Sequence, residues 1–231
     1  MKKILILFSV LFLGAGTVLA TEQSEIIKEQ TVQEKINDVG FKILNSNMID
    51  KRIIFVYDKA EKKSLLKSAD ELTKRQIIIT EGEYKFVDND DELAAFVSRG
   101  ISMALKSYGG MWRGGLNAIQ VKAAPKMYEI VADKRAVDFM VNAGYDPIGL
   151  ITFLNKSQPQ KRYDTFSSSN LTSKRLAIIY EYIYTKYPYF LANNKYLENE
   201  SYQNFLLTSV DNRKKLEDKI KNHSEKKIKY E

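Results

Sequence analysis

Apolar positions along this chain recur mostly at helical spacing. Ile27, Val32, Ile36, Val39, Ile43 and Leu44 lie on one face of a helix predicted over residues 24–46. Two short runs break that rhythm. Ile53 to Tyr57 and Gln76 to Thr80 are rich in β-branched residues and predict strands. Gly82 predicts a turn after the second. Asn89 is a good N-cap, and Glu92 stands three residues on as a capping-box partner, so a helix is expected over 90–106, ended by Gly109 and Gly110. Pro125 opens another helix, which reaches Asn142 and is stopped by Gly144. Asp146-Pro147 opens a shorter one through Asn155. Residues 157–170 are polar and loop-like, 171–187 are helical again with Pro188 as the stop, and a charged helix is predicted over 209–226. These elements predict a mostly helical α+β fold with a small sheet formed by the strands near residues 53 and 77, and no internal repeat.

The N-terminal twenty residues read differently. Lys2 and Lys3 precede a short apolar stretch, residues 4–13, and Val18-Leu19-Ala20 offers a small-residue cleavage site. A cleaved export signal over 1–20 is the expected reading, with an uncleaved anchor as the alternative. No later stretch is long and apolar enough to span a bilayer. The expected location is the bacterial periplasm or the medium outside the cell.

Charge and composition narrow the function classes. The net charge is +7, part of it from the leader's two lysines and much of it in the last twenty residues. That balance is too weak to argue for nucleic acid, and no basic-aromatic recognition motif accompanies it. Cysteine is absent, so there is no disulfide, no thiolate ligand and no cysteine nucleophile. The one histidine, His223, lies in a charged tail. The glycines of 109–115 fit neither the Walker nor the dinucleotide fingerprint and read as a connector. The aromatic run Tyr180, Tyr182, Tyr184, Tyr187, Tyr189, Phe190 either packs a helix on the core or lines a groove.

One constellation is more specific. A strand ending at Glu81-Gly82 is followed by Asp91-Glu92-Leu93-Ala94-Ala95, then by Glu129-Ile130-Val131-Ala132-Asp133, then by Ala143-Gly144-Tyr145-Asp146-Pro147. This order resembles the M48 family of zinc metallopeptidases, over roughly residues 50–187. The family pattern is D-E-L-A-A-x-x-x-H-E-x-x-H, then E-x-x-A-D, then A-G-Y-D-P. The resemblance implies a zincin-like metallopeptidase scaffold and a division into a signal peptide (1–20), a peptidase-like domain (21–190) and a charged helical C-terminal extension (191–231). In the family, two imidazoles four residues apart on a helix hold zinc, and the glutamate between them activates the metal-bound water.

Here the resemblance breaks at its chemical centre. Arg99 stands at the first histidine ligand, Gly100 at the glutamate base and Met103 at the second histidine. Glu129 matches the third ligand, and Asp133 matches the carboxylate that orients a ligand imidazole. The family often has His-Pro where Ser169-Asn170 precedes 171–175, so a further histidine is missing. Arginine cannot ligate zinc, methionine is a poor ligand for it, and glycine takes no proton. The expectation is therefore an exported, peptidase-like protein with no zinc and no catalysis, which binds a protein or peptide. Two alternatives stand beside it: an active zinc-dependent metalloendopeptidase, as the family resemblance alone implies, and a structural envelope-associated module. Glu129 needs a cation in place of the metal. Either Arg99 pairs with it, and with Asp133, across the former site, or Arg99 turns to solvent and Glu129 pairs with Lys126. Met103 is expected to fill the core beside Leu93 and Phe96.

Overall fold

The computed structural model describes residues 31–59, 75–106, 125–158 and 170–231. The expected leader, the 109–115 connector and most of the 157–170 loop lie outside the described residues. Within them the chain is mostly helical with one small sheet, an α+β arrangement. In order come α1 (31–46), β1 (Ile54–Asp58), β2 (Gln76–Thr80), α2 (Glu81–Tyr84), α3 (Asp90–Lys106), α4 (Pro125–Asn142), α5 (Ile148–Ser157), α6 (Thr172–Lys186), α7 (Pro188–Ala192), α8 (Glu200–Thr208) and α9 (Val210–Lys221).

The sheet is a parallel pair in which Ile54 faces Gln76 and Asp58 faces Thr80. Ile77 and Ile79 point inward, as the two-residue period of a strand requires. The Gln33 side chain closes the other edge of β1: its Nε2 donates to the Phe55 carbonyl at 3.1 Å, and its Oε1 accepts from Tyr57 N–H at 2.7 Å. Where Gly82 predicted only a turn, α2 forms instead. Thr80 caps it, accepting from Glu83 N–H while Glu83 accepts from Thr80 N–H, which is a complete capping box.

The helix α3 is the spine of the molecule. Leu93, Ala94, Ala95 and Val97 are wholly buried, and α3 packs on β2, α4 and α5. Its N-terminus differs from the expected capping box in one detail. Asn89 accepts from Glu92 N–H at 3.0 Å, but the Glu92 carboxylate returns to Asp88 N–H at 2.8 Å. Gly144 ends α4 in the left-handed region at φ 77°, and Tyr145 N–H reaches the Met140 carbonyl at 2.9 Å.

The C-terminal third is packed into the same body. Tyr196, Tyr202 and Phe205 belong to the hydrophobic core, and α8 lies against α5. Part of the helical stretch expected over 191–231 therefore packs on the common core. No helix among the described residues is long and apolar enough to cross a membrane.

Candidate functional site

Residues four apart on a helix share a face, so Glu129 and Asp133 on α4 project side by side. Across from them stands Arg99 of α3, and from the first turn of α6 comes Arg175. The four side chains form one buried network. Arg99 Nε donates to Asp133 Oδ1 at 2.7 Å. Arg175 donates to both oxygens of the same carboxylate, from Nε to Oδ2 and from Nη2 to Oδ1, each at 2.9 Å. The same guanidinium reaches Glu129 Oε1 through Nη1 at 2.9 Å. Glu129 Oε2 accepts from Asn170 twice, from the backbone N–H at 2.8 Å and from Nδ2 at 3.0 Å. Asn170 Nδ2 also donates to the Lys126 carbonyl at 2.7 Å.

The network is charge-balanced, and every carboxylate oxygen in it has a donor. Asp133 and Arg175 are 1% and 2% exposed at their side chains, so neither has water to fall back on. Burial alone pushes the Asp133 carboxyl up, but the charges of Arg175 and Arg99 and the bonds they donate outweigh it and hold it below the ordinary aspartate range. Burial likewise weighs against the Arg175 cation, and Asp133 and Glu129 more than compensate, raising its pKa. Breaking such a pair leaves a lone buried charge, at a cost of about 3–5 kcal/mol.

Arg99 thus faces the carboxylates of α4, as the first of the two expected pairings has it, but its direct partner is Asp133. Glu129 is held by Arg175 and Asn170. Arg175 was not singled out by the sequence reading. The signal was present: Thr172, Arg175, Leu176, Ala177, Ile179 and Ile183 are the buried residues of α6, and an arginine among apolar buried positions calls for a buried anion. Met103 is only half-buried and is absent from the core cluster, so it is not the core filler expected from its spacing with Leu93 and Phe96. Gly100 is a packing glycine, since a Cβ there would lie 2.8 Å from Ile77 Cγ2. His223 is exposed just past α9, where it adopts φ 47° and terminates the helix: Ser224 N–H reaches the Lys219 carbonyl and His223 N–H the Ile220 carbonyl.

These residues do not fit zinc. A catalytic zinc site needs three protein ligands with free lone pairs and an open position. Here the two carboxylates already accept from guanidinium and amide groups at 2.7–3.0 Å, and two fixed cations face the place where a third would sit. Among the described residues no group of three or more His, Cys, Asp or Glu is arranged to hold a metal.

The motifs flanking this network have a separate job. Asp91 Oδ1 accepts from Asp146 N–H at 2.9 Å, joining D-E-L-A-A to A-G-Y-D-P. Gly149 brings α5 so close that a Cβ on it would lie 2.7 Å from Asp91 Cβ. Asp91 Oδ2 accepts from Tyr196 Oη at 2.7 Å and pairs with Lys195 at 2.5 Å. Glu92, wholly buried, accepts from Thr152 Oγ1 at 2.7 Å and pairs with Lys156 at 2.6 Å. Burial, with Asp91 nearby, raises the Asp146 carboxyl to about 6 against the opposing bond from Ile148 N–H. This second cluster fastens α3, α5 and the segment before α8 together.

No family model matches the chain, and no curated protein and no solved structure is found to match it.

Proposed function

We propose that this chain is an exported protein on an M48-like, zincin-type scaffold, in which an ion-pair network replaces the metal centre, and that it works by binding a protein or peptide rather than by cutting one. The observation that carries the reading is the occupancy of the retained carboxylates. Glu129 and Asp133 stand on one face of α4 opposite Arg99 of α3, and both are saturated by Arg99, Arg175 and Asn170. A guanidinium supplies the positive charge that a buried carboxylate pair needs, and its planar fork fits carboxylates bidentately. With glycine at the position of the base, no side chain there can take a proton from water. Export rests on the leader-like residues 1–20.

Metal content tests the reading directly. The protein is purified after expression with added zinc, its metals are counted by mass spectrometry, and hydrolysis of an unstructured peptide is followed with and without a chelator. No stoichiometric zinc and no chelator-sensitive cleavage are expected. One zinc per chain, together with cleavage that a chelator abolishes, would overturn the proposal in favour of an active peptidase.

A further inference from the structure

A groove of about 630 Å³ runs between α4, α6 and the C-terminal tail, apart from the buried network. Its apolar surface comes from Ile130, Ile178, Ile228 and the Tyr182 ring. Lys134, Lys174, Lys227 and Lys229 line it as well. Among the described residues none of these lysines takes part in an ion pair; Lys134 lies 5.3 Å from the centroid of the Tyr182 ring. The one acid in the lining, Glu181, is already paired with Lys219 at 2.8 Å. The groove therefore carries a local excess of positive charge over an apolar floor.

Its outer wall is ordered. Asn212 brackets the last residue, donating from Nδ2 to the Glu231 carbonyl at 2.7 Å and accepting from Glu231 N–H at 3.2 Å. Lys215 pairs with the Glu231 side chain at 2.9 Å. Tyr230 is 5% exposed, and its buried hydroxyl, beside Glu181, lacks a hydrogen bond of good geometry. Burial, with the Glu181 carboxylate beside it, pushes that phenol's pKa up, so it remains a donor in the groove's wall.

We infer that this groove binds a small amphipathic anion, one apolar chain carrying a phosphate or carboxylate head. The volume falls within the range of about 300–1,000 Å³ typical of small-ligand sites. Two walls are helices whose backbone groups are bonded internally, and on the tail the Lys229 carbonyl and both main-chain groups of Glu231 are taken by Lys215 and Asn212. The groups that dominate the lining are ammonium groups and apolar side chains, a pairing that suits an amphiphile. This inference does not depend on the fate of the metal site.

Titration calorimetry on the full chain tests it, with dodecyl phosphate below its micellar concentration, inorganic phosphate, dodecanol and an acidic tetrapeptide as probes. Dodecyl phosphate is expected to bind one per chain, at least tenfold tighter than each of the other three. Lys134→Gln/Lys227→Gln should weaken it at least tenfold, as should Lys174→Gln/Lys229→Gln, which serves if the first pair compromises the fold. Because residues 4–13 are themselves apolar, lysine dependence is the deciding reading. Equal binding of dodecanol, a preference for the tetrapeptide, unchanged affinity in a folded lysine variant, or affinity in the wild-type chain that does not fall with added salt would each overturn the inference.

Discussion

Gly100 and Ile77 meet where α3 crosses β2: a Cβ on Gly100 would stand 2.8 Å from Ile77 Cγ2 and 3.1 Å from its Cδ1. Ile77 is 2% exposed and lies in the hydrophobic core. A mid-helix glycine costs about 0.5–1 kcal/mol relative to alanine, and here close approach of helix to strand requires it. Gly100→Ala is therefore expected to destabilise the chain, because about 1–3 kcal/mol of overpacking exceeds the helix propensity gained. Urea unfolding reads the change. In an Ile77→Ala background the sign should reverse and Gly100→Ala should stabilise. The same contact bears on any larger side chain at position 100. Arg99→His, Gly100→Glu and Met103→His introduced together should therefore yield a destabilised chain.

Arg175 serves both carboxylates, whereas Arg99 serves one. Arg175→Met strips Glu129 Oε1 and Asp133 Oδ2 of their cation, and a loss of about 3–5 kcal/mol is expected. Arg99→Met should cost clearly less, since Asp133 keeps both bonds from Arg175. Asp133 also gives the network a pH signature. Its folded pKa lies below the unfolded value, about 3.9 for aspartate, so its contribution is present above that value and is lost as pH falls through the folded pKa. In Arg175→Met that acid loss should move to higher pH, as read by urea unfolding between pH 3 and pH 7. Equal costs for the two arginine variants would mean that Arg175 is not the central cation.

Much of the architecture was legible because its boundaries are set locally. The bounds of α3 and α4 follow from Asn89, Pro125 and Gly144, and β2 from its run of isoleucines. The helix α5 opens at Asp146-Pro147 as read: Pro147 is its N-cap, and the Asp146 side chain turns the chain into it by accepting from Ile148 N–H at 2.9 Å. The helix α8 was not foreseen. Its buried face is only Tyr202 and Phe205, and its neighbour Leu207 is 77% exposed, so its apolar pattern is blurred. Asn199, which accepts from Tyr202 N–H, was the available signal. Shortening of α9 to Lys221 was hidden too, since a left-handed histidine leaves no trace in hydrophobic period. At the candidate site, sequence order placed Arg99 against an α4 carboxylate. Which carboxylate it takes depends on Arg175, a long-range partner that no local pattern specifies.

The Asp146 carboxyl predicts a pH dependence of the opposite sign to that of Asp133. Its folded pKa, about 6, stands above the unfolded value. A carboxyl raised on folding contributes stability that is full below the unfolded pKa and is lost as pH rises through the folded one. Wild type should therefore lose stability between about pH 4 and pH 6, the unfolded aspartate value being about 3.9. The groups facing Asp146 are Asp91, which disfavours its charge, and Lys195, which favours it. Asp146→Asn keeps an oxygen for Ile148 N–H and removes the titration. The variant should gain on wild type across that window and hold a constant advantage above it. A stability difference that stays flat from pH 4 to pH 7 would sink the assignment.

Tyr196 and Lys195 both reach Asp91 Oδ2, but they should not count equally. The hydroxyl of Tyr196 donates at 2.7 Å from a residue 5% exposed, whereas the Lys195 side chain is 59% exposed. Burial and the bond to Asp91 push the Tyr196 pKa up, so the phenol remains a donor throughout the working range. A hydrogen bond to a charged group is worth about 1.5–3 kcal/mol when buried, while an exposed ion pair contributes about 0–1 kcal/mol. Tyr196→Phe should accordingly lower unfolding free energy by the larger amount, and Lys195→Ala by the smaller. Because Tyr196 ties the segment before α8 to the N-terminus of α3, amide exchange should also quicken selectively in Glu200–Thr208 of the phenylalanine variant. Uniform loss of protection throughout the chain would show instead that this tether unfolds only with the whole domain.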